Sequence, residues 1–206
     1  MNGVALVTAI LRADALRWRL LEIVRDLNLP DGWIGAGFIR NAVWDHLHGR
    51  APSPPSGDVD VIWYDPHRND AARDARYEAA LRTVDPSIAW SVKNQARMHS
   101  RNGDRPYKSA TDAMRFWPET ATAIAVRRSE NDDVIVAAPF GFDDLLQLVL
   151  QPTPRFRGEK RAVFEDRLHS KAWVTTWPLL RAADATGSDN PPSMETRSSD
   201  MPCQSG

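Results

Sequence analysis

The sequence predicts an α+β fold, in which helices flank a mixed, partly antiparallel central sheet of about four or five strands. Apolar residues recur at helical spacing in the first segment of the chain. Short runs rich in β-branched and aromatic residues follow, most clearly Asp58 to Trp63. Turns rich in glycine and proline separate the two kinds of segment, which therefore alternate along one domain.

Length and composition narrow the class of protein. The chain has 206 residues, 42% hydrophobic and 26% charged, which is typical of one well-buried globular domain. Its formal net charge of -1 gives no global field that would recruit nucleic acid or a membrane, although a local basic cluster still could. Cys203 is the single cysteine, which excludes a disulfide framework. Arg12 and Asp14 interrupt the N-terminal apolar stretch, so we expect a cytoplasmic protein without a membrane partner.

The first third of the chain contains the clearest local patterns. A helical apolar stripe ends at a Pro-Asp-Gly turn, and a proline-rich loop precedes the Asp58 strand. The predicted elements are a helix over about 4–27, a strand at 33–35, a helix over 38–48, a loop at 51–57 and a strand at 58–63.

The remainder alternates in the same way. Ser109 and Asp112 form a capping-box pattern at the start of a short helix. The pattern predicts a helix over 69–82, a strand at 88–92, a polar turn-rich segment to 109, a short helix to 116, a hairpin over 120–137 and helices over 142–150 and 159–177. We expect the domain to span 1–181. From Ala182 onward the chain lacks aromatics and is dense in Ser, Pro, Gly and acids, which predicts a disordered tail over 182–206.

Two aspartates on one strand give the main chemical signal. Residues two apart on a strand point the same way, so Asp58 and Asp60 should project from one face and Val59 and Val61 from the other. Neighbouring carboxylates repel each other unless a cation lies between them or one binds a proton. Mg²⁺ or Mn²⁺ relieves that repulsion. An isolated D-x-D is more often an exposed strand face, but aspartate is depleted in strands, so two of them indicate a local reason.

Gly35 and Gly37 lie where a strand turns into a helix. Glycines there allow a ligand to approach the backbone, and the helix N-terminus offers free N–H groups to phosphates. The alternative is a tight turn that requires a positive φ. Arg40 occupies the position where the dinucleotide fingerprint needs its third glycine, which excludes that motif. A cation in the first turn opposes the helix dipole, so Arg40 is better explained by phosphate contact.

The glycine turn, the helix and the D-x-D strand together resemble the DNA polymerase β-like nucleotidyltransferase superfamily. The run G-x-I-R-N, L-H-G-R, D-V-D is also similar to the tRNA CCA-adding enzymes. Further stretches resemble a family of small bacterial nucleotidyltransferase-like proteins, from about Leu20 to Leu180: WSVKNQARMHSRNGDRPYKSATDAMRFWPETATAIAV, APFGFDDLLQLVLQPTP and the terminal K-x-W-x-x-x-W-P.

The resemblance implies transfer of a nucleoside monophosphate from an NTP to an acceptor. Asp58 and Asp60 would hold Mg²⁺ or Mn²⁺, and Gly35, Gly37 and Arg40 would hold the phosphates. The acceptor is left open among RNA, protein and a small molecule, as are the preferred nucleotide and the oligomeric state. Polymerising members of the superfamily use a third carboxylate on the neighbouring strand, where this sequence has Ser91, Lys93 and Asn94.

The missing carboxylate keeps other functions open. One is a catalytically silent nucleotide-binding or antitoxin-like interaction module with the same fold. Another is a regulatory protein whose basic loop binds RNA. That loop concentrates six basic residues, of which Lys93 and Lys108 are expected to contact the nucleotide: Lys93, Arg97, His99, Arg101, Arg105 and Lys108. Asp143 and Asp144 are expected to cap a helix. Trp173 and Trp177 are expected to form a core packing stripe.

Overall fold

The computed structural model describes residues 2–183, so residues 184–206 of the predicted tail lie outside the described residues. Strands over this range are β1 Trp33–Gly35, β2 Val59–Trp63, β3 Trp90–Asn94, β4 Ala125–Arg128, β5 Val134–Ala137, β6 Val149–Leu150 and β7 Arg181–Ala182. Helices are α1 Gly3–Ala13, α2 Ala15–Asp26, α3 Gly37–Leu47, α4 Ala71–Val84, α5 Gln95–Asn102, α6 Ala110–Met114, α7 Asp143–Leu146, α8 Arg161–Lys171 and α9 Trp173–Thr176. Short 3₁₀ turns occupy Thr120–Thr122 and Pro154–Phe156.

The main sheet has five strands in the order β3-β2-β1-β4-β5. Strand β1 pairs antiparallel with both β2 and β4, while β2 and β3 are parallel, and β4 and β5 form an antiparallel hairpin. Strands β6 and β7 form a separate parallel pair. The predicted mixed sheet of an α+β fold is confirmed.

The register of β2 and β3 separates a polar face of the sheet from an apolar one. Asp60 lies opposite Ser91 in the parallel pairing, so their side chains emerge on the same face. Val59, Val61 and Trp63 emerge on the other face and are buried in the main core beneath the helices. The predicted alternation of the D-V-D-V run thus sets which side of the sheet carries the carboxylates.

Helix α3 is almost entirely buried, although it begins at the edge of the site. Phe38, Ile39, Val43 and Trp44 belong to the main core, and polar residues between them are buried as well. A helix that is buried on most sides is fixed by packing rather than by intrinsic propensity. Its N-terminus is therefore held rigidly beside the end of β1.

Several predicted boundaries are wrong. The expected helix over 4–27 is broken at Asp14, whose extended backbone lets its carboxylate accept a hydrogen bond from the Arg17 N–H at 3.0 Å. The last helix is broken at Ala172, which has φ 45°. Strand β3 begins two residues later than predicted, and α7 is a single turn.

The polar segment after β3 is a helix, α5, rather than the expected turn region. The Asn94 side chain accepts a hydrogen bond from the Ala96 N–H at 3.0 Å, and Gly103, with φ 66°, ends the helix. The Ser109 cap is confirmed, because its hydroxyl accepts from the Asp112 N–H at 2.9 Å. Across residues 2–183, every helix is too short or too polar to span a membrane.

Gly35, the last residue of β1, provides a test of packing beside the site. A Cβ added at Gly35 would lie 2.8 Å from the Trp117 ring. Gly35→Ala should therefore destabilise the fold by about 1–3 kcal/mol through overpacking, measured by urea unfolding. The control is Gly158→Ala, where an added Cβ meets nothing within 4 Å. Equal stability of the two variants would contradict this packing.

Candidate functional site

The turn between β1 and α3 forms one end of the site. Ala36 has φ 53° and ψ -124°, a backbone conformation that a residue with a side chain rarely adopts. The positive φ of a tight turn therefore falls on Ala36 rather than on Gly35 or Gly37. Gly35 makes room for Trp117, while a Cβ on Gly37 would be in ordinary contact with the Arg40 side chain at 3.5 Å.

A cavity of about 720 Å³ opens in front of this turn. Asp58 lies immediately before β2 and Asp60 lies within it, and both line the cavity. Gly37 and Arg40 line it from α3. The structure thus brings together four of the residues singled out in the sequence; Gly35 is adjacent in the chain and is covered by Trp117 instead. We call this space the large cavity.

Ionisation of the Asp60 carboxylate is unfavourable in the folded protein, and we call this unfavourable energy its electrostatic strain. Burial raises its pKa above the ordinary aspartate value, and the neighbouring negative charge of Asp58 raises it further. The positive charges of Arg167, Arg40 and Lys171 act in the opposite direction without cancelling the effect. A cation between the two carboxylates would relieve this strain, so the donor set suits a hard divalent ion.

The protein ligands for such an ion are few. Within residues 2–183, no group of three or more His, Cys, Asp or Glu side chains is placed to hold a metal ion. Mg²⁺ is commonly bound by one or two carboxylates, with water and substrate phosphates completing its octahedral shell. The pair Asp58 and Asp60 therefore fits a metal that is shared with a phosphorylated substrate.

Arg40 is buried at the base of the large cavity, with 6% of its surface exposed. Its guanidinium donates to the Asn41 carboxamide oxygen at 2.9 and 3.1 Å and to the Thr122 hydroxyl at 2.9 Å. Its guanidinium carbon also lies 4.8 and 4.4 Å from the ring centroids of Trp44 and Trp173, within the range of cation–π contacts.

Burial lowers the pKa of Arg40 to about 10, and the nearby negative charges of Glu119 and Asp60 raise it in part. No carboxylate among the described residues lies within ion-pair distance of its guanidinium. Arg40 therefore stays charged at neutral pH while its charge is only partly compensated by the protein.

The C-terminal helices form the opposite wall of the large cavity. Arg167 and Lys171 contribute positive charge from α8, and Trp173 and Trp177 contribute aromatic surface from α9 and its end. Both tryptophans are buried, as expected for core residues, and their rings lie edge-on to Trp44 at 5.8 and 5.2 Å. The sequence did not predict that these tryptophans also line the cavity. The terminal K-x-W-x-x-x-W-P motif was the one feature of the sequence that drew attention to this segment.

Asp45, on α3, connects this helix to the proline-rich loop and to the C-terminal segment. Its carboxylate accepts a hydrogen bond from the Ser53 N–H at 2.8 Å and another from the Trp177 indole N–H at 2.8 Å. The proline-rich loop and the C-terminal segment are thereby tied to α3. Asn41 also donates to the Ser56 hydroxyl at 3.3 Å. The loop between α3 and β2 thus has a defined position at the cavity.

Arg167 is the main charged residue that the sequence did not single out. Its Nε donates to a Glu119 carboxylate oxygen at 2.7 Å, and about a third of the arginine side chain is exposed. Glu119 is fully buried, and its second oxygen has no hydrogen-bond partner among the described residues. The two partners are 48 residues apart in the sequence, and their pairing fixes the direction of the Arg167 guanidinium.

A second cavity, of about 250 Å³, meets the large cavity at three residues that line both: Ala36, Asp60 and Arg167. We call it the small cavity. Lys93 lines it but is ion-paired with Glu78 at 2.7 Å. Lys108 is exposed and is not among the described residues that line either cavity. The structure therefore brings Lys93 only to the small cavity and leaves Lys108 outside both.

Two further members of the predicted basic cluster are neutralised. Arg97 is ion-paired with the buried Asp74, and Arg105 forms a two-pronged pair with Asp112 at 2.9 Å. The capping role expected of Asp143 and Asp144 is wrong, because the N-cap of α7 is Phe142 and no side chain among the described residues caps this helix. Asp144 instead accepts a hydrogen bond from the Thr120 hydroxyl at 2.6 Å, which joins α7 to the neighbouring 3₁₀ turn.

Comparison with known proteins decides the family. A nucleotidyltransferase family model matches residues 22–182, which is most of the chain and includes both cavities. The chain belongs to this nucleotidyltransferase family. The nucleotidyltransferase is also similar, at 32% identity and a TM-score of 0.78, to a protein whose NMR structure reveals a CCA-adding enzyme head domain. That match covers 86% of this chain and 94% of the other, and it confirms the resemblance drawn from the sequence.

Two larger enzymes share the fold. A CCA-adding enzyme in complex with ATP matches with a TM-score of 0.52 and 16% identity, over 87% of this chain and 42% of that one. The Thermotoga maritima CCA-adding enzyme complexed with tRNA matches with a TM-score of 0.54 and 15% identity, over 90% and 43%. The nucleotidyltransferase thus spans less than half the length of either enzyme. No protein of curated function matches it.

The Asp60 environment gives a prediction for stability. Because the folded pKa of Asp60 is raised, ionisation of this carboxylate costs stability as pH rises above the ordinary aspartate value of about 3.9. Asp60→Asn should therefore raise the melting temperature at pH 7 without divalent ions. The gain should vanish near pH 3, where the wild-type carboxylate is protonated in both states. Differential scanning calorimetry at both pH values measures it.

The matched control is Asp166→Asn, which removes the same charge from an exposed position on α8. It should show no comparable gain at pH 7. A lower melting temperature for Asp60→Asn than for the wild type at pH 7 would contradict the raised pKa of Asp60.

Proposed function

We propose that this protein transfers a nucleoside monophosphate from an NTP to a hydroxyl of an acceptor, in a reaction that depends on a divalent metal. The acceptor oxygen forms a bond to the α-phosphorus, the bond from the α-phosphorus to the bridging oxygen of the β-phosphate breaks so that pyrophosphate leaves, and the hydroxyl proton passes to water. One observation carries the proposal. A single cavity contains paired carboxylates at the start of β2, a helix N-terminus at α3 and a cluster of partly compensated positive charges. Membership of the nucleotidyltransferase family supports the same reaction class.

The carboxylates would hold the metal. Asp58 and Asp60 line the cavity from the start of β2. Burial and the neighbouring charge of Asp58 raise the pKa of Asp60, a cost of ionisation that a bound cation would offset. Bound Mg²⁺ or Mn²⁺ supplies charge stabilisation at the reacting phosphorus and bridges substrate phosphate oxygens.

The positive groups would bind the triphosphate. Helix α3 is 11 residues long, and the free N–H groups of its first turn and its dipole favour an anion near Ala36 and Gly37. Arg40 lies beneath this turn, and Arg167 and Lys171 face it from α8. Because Arg40 and Arg167 are already held by hydrogen bonds, these two arginines need little reorganisation when charge develops in the transition state.

A catalytically silent nucleotide-binding module is the second candidate. The described residues contain no three-carboxylate group, and β3 presents Ser91 opposite Asp60. Glu119 is buried and engaged with Arg167, so it does not supply a third metal-binding carboxylate. A silent module would bind Mg²⁺ and NTP without turnover, which separates the two candidates experimentally.

Loss of the Asp60 charge tests the metal site. Asp60→Asn should weaken Mg²⁺-dependent NTP binding and lower transfer of label from α-labelled NTP by at least about a hundredfold, because the bound metal provides most of the charge stabilisation in the proposed transition state. Asp166→Asn is the control and should retain wild-type transfer. Full activity in Asp60→Asn would remove the metal site from the proposal, and NTP binding without turnover in the wild type would favour the silent module.

Substitution of Arg167 tests whether α8 contacts the substrate phosphates. Arg167→Gln should raise the Kd of Mg²⁺·ATP about tenfold, the loss expected for one charge-assisted hydrogen bond. Isothermal titration calorimetry measures this constant. Arg157→Gln removes an exposed arginine near the start of α8 and should leave the Kd unchanged. Equal affinities of Arg167→Gln and the wild type would place the phosphates elsewhere.

A further inference from the structure

The small cavity lies where an acceptor is needed. In phosphoryl and nucleotidyl transfer, the attacking oxygen and the leaving oxygen are roughly in line across the phosphorus. If the triphosphate lies along the large cavity toward α3, the acceptor must reach the α-phosphate from beyond the shared boundary. The small cavity meets the large one at that boundary, where Asp60 and Arg167 line both.

We propose that the small cavity is the acceptor site, and that the acceptor is an uncharged alcohol whose hydroxyl is carried on a flat, apolar group. This inference rests on the proposed function of the large cavity. It chooses one chemistry among the RNA, protein and small-molecule acceptors that the sequence left open.

The lining of the small cavity favours an apolar body. The apolar side chains that surround it are Ile62, Met98, Trp117 and Pro118. The Trp117 ring offers a flat surface, and it is held in place against Gly35 of β1. A volume of about 250 Å³ is enough for one ring system and too small for a folded nucleic-acid stem.

Apart from the charged Asp60, Lys93 and Arg167, the polar groups of the small cavity are neutral hydrogen-bonding groups. They are supplied by Ser91, Gln95, Asn102 and Thr122. Gln95 donates to the Lys93 carbonyl at 3.1 Å, and Asn102 donates to the Tyr107 hydroxyl at 3.2 Å, so both amides have defined orientations. Such groups orient a hydroxyl or carbonyl without requiring charge on the ligand.

Charge balance argues against a polyanionic acceptor. The Lys93 ammonium is neutralised by Glu78, Arg97 by Asp74 and Arg105 by Asp112. Nucleic-acid binding depends on cations that are free to neutralise phosphates. Arg167, the other cation that lines the small cavity, is paired with the buried Glu119, and the proposed nucleotide phosphates already use its exposed part.

The test uses the full chain labelled with ¹⁵N, bound to Mg²⁺ and α,β-methylene-ATP. The probe is 4-methylphenol, a flat neutral alcohol, and its binding is followed through the side-chain amide resonances of Gln95 and Asn102. Ser91→Phe and Met98→Trp each fill the small cavity from a different element, β3 or α5. The wild type should show saturable shifts, and both variants should lose them while binding the nucleotide analogue within about twofold of the wild type.

Two further ligands distinguish a protein side chain, a free small molecule and RNA as the acceptor. N-acetyltyrosinamide presents the same phenol on a peptide, so binding equal to that of 4-methylphenol indicates a protein side chain, and exclusion indicates a free small molecule. An octauridylate that shifts the same amides more strongly than 4-methylphenol would overturn the proposal, as would 4-methylphenol shifts that persist in both variants. Failure of the analogue to bind the wild type would instead refute the proposed function.

Discussion

The contact of the buried Arg40 guanidinium with two tryptophan rings is the interaction on which the rest of the site depends. It joins α3 to the C-terminal segment through Trp44 and Trp173, and to the 3₁₀ turn before β4 through Thr122. A buried cation without an ion-paired carboxylate costs free energy, which its hydrogen bonds and ring contacts only partly offset. An anionic ligand in the large cavity would offset more of that cost. The buried charge of Arg40 and the proposed reaction therefore both favour a phosphate group in this cavity.

The C-terminal helices contribute as much to the large cavity as the D-x-D strand does. Strand β2 and α3 carry the carboxylates and the helix N-terminus, whereas Arg167, Lys171 and Trp173 come from more than a hundred residues later in the chain. Asp45 and Glu119 hold this late segment against the early one by hydrogen bonds to Trp177 and Arg167. The cavity therefore forms only when the two ends of the domain pack together.

Local patterns predicted the parts of the site that lie close in sequence. The two-residue period of β2 determines the face of Asp60, and the buried stripe of α3 determines where its N-terminus lies. Helix α5 was missed because its exposed surface is polar and its start depends on a side-chain cap from Asn94.

Long-range contacts could not be predicted in this way. Lys93 looked available, yet Glu78 on α4 reaches it, and that pairing depends on how α4 packs against β3. Trp173 had the helical spacing of a core residue, and only the break at Ala172 and the turn of α9 toward α3 bring its ring over Arg40. Arg167 carried no local signal beyond the terminal motif near it.

The most direct measurement is a crystal structure with α,β-methylene-ATP and Mn²⁺, using the anomalous signal of manganese. The account predicts a manganese peak bound by Asp58 and Asp60, with the terminal phosphates at the N-terminus of α3 beside Ala36 and Arg167. A nucleotide bound outside the large cavity, or a manganese peak that touches neither aspartate, would contradict it.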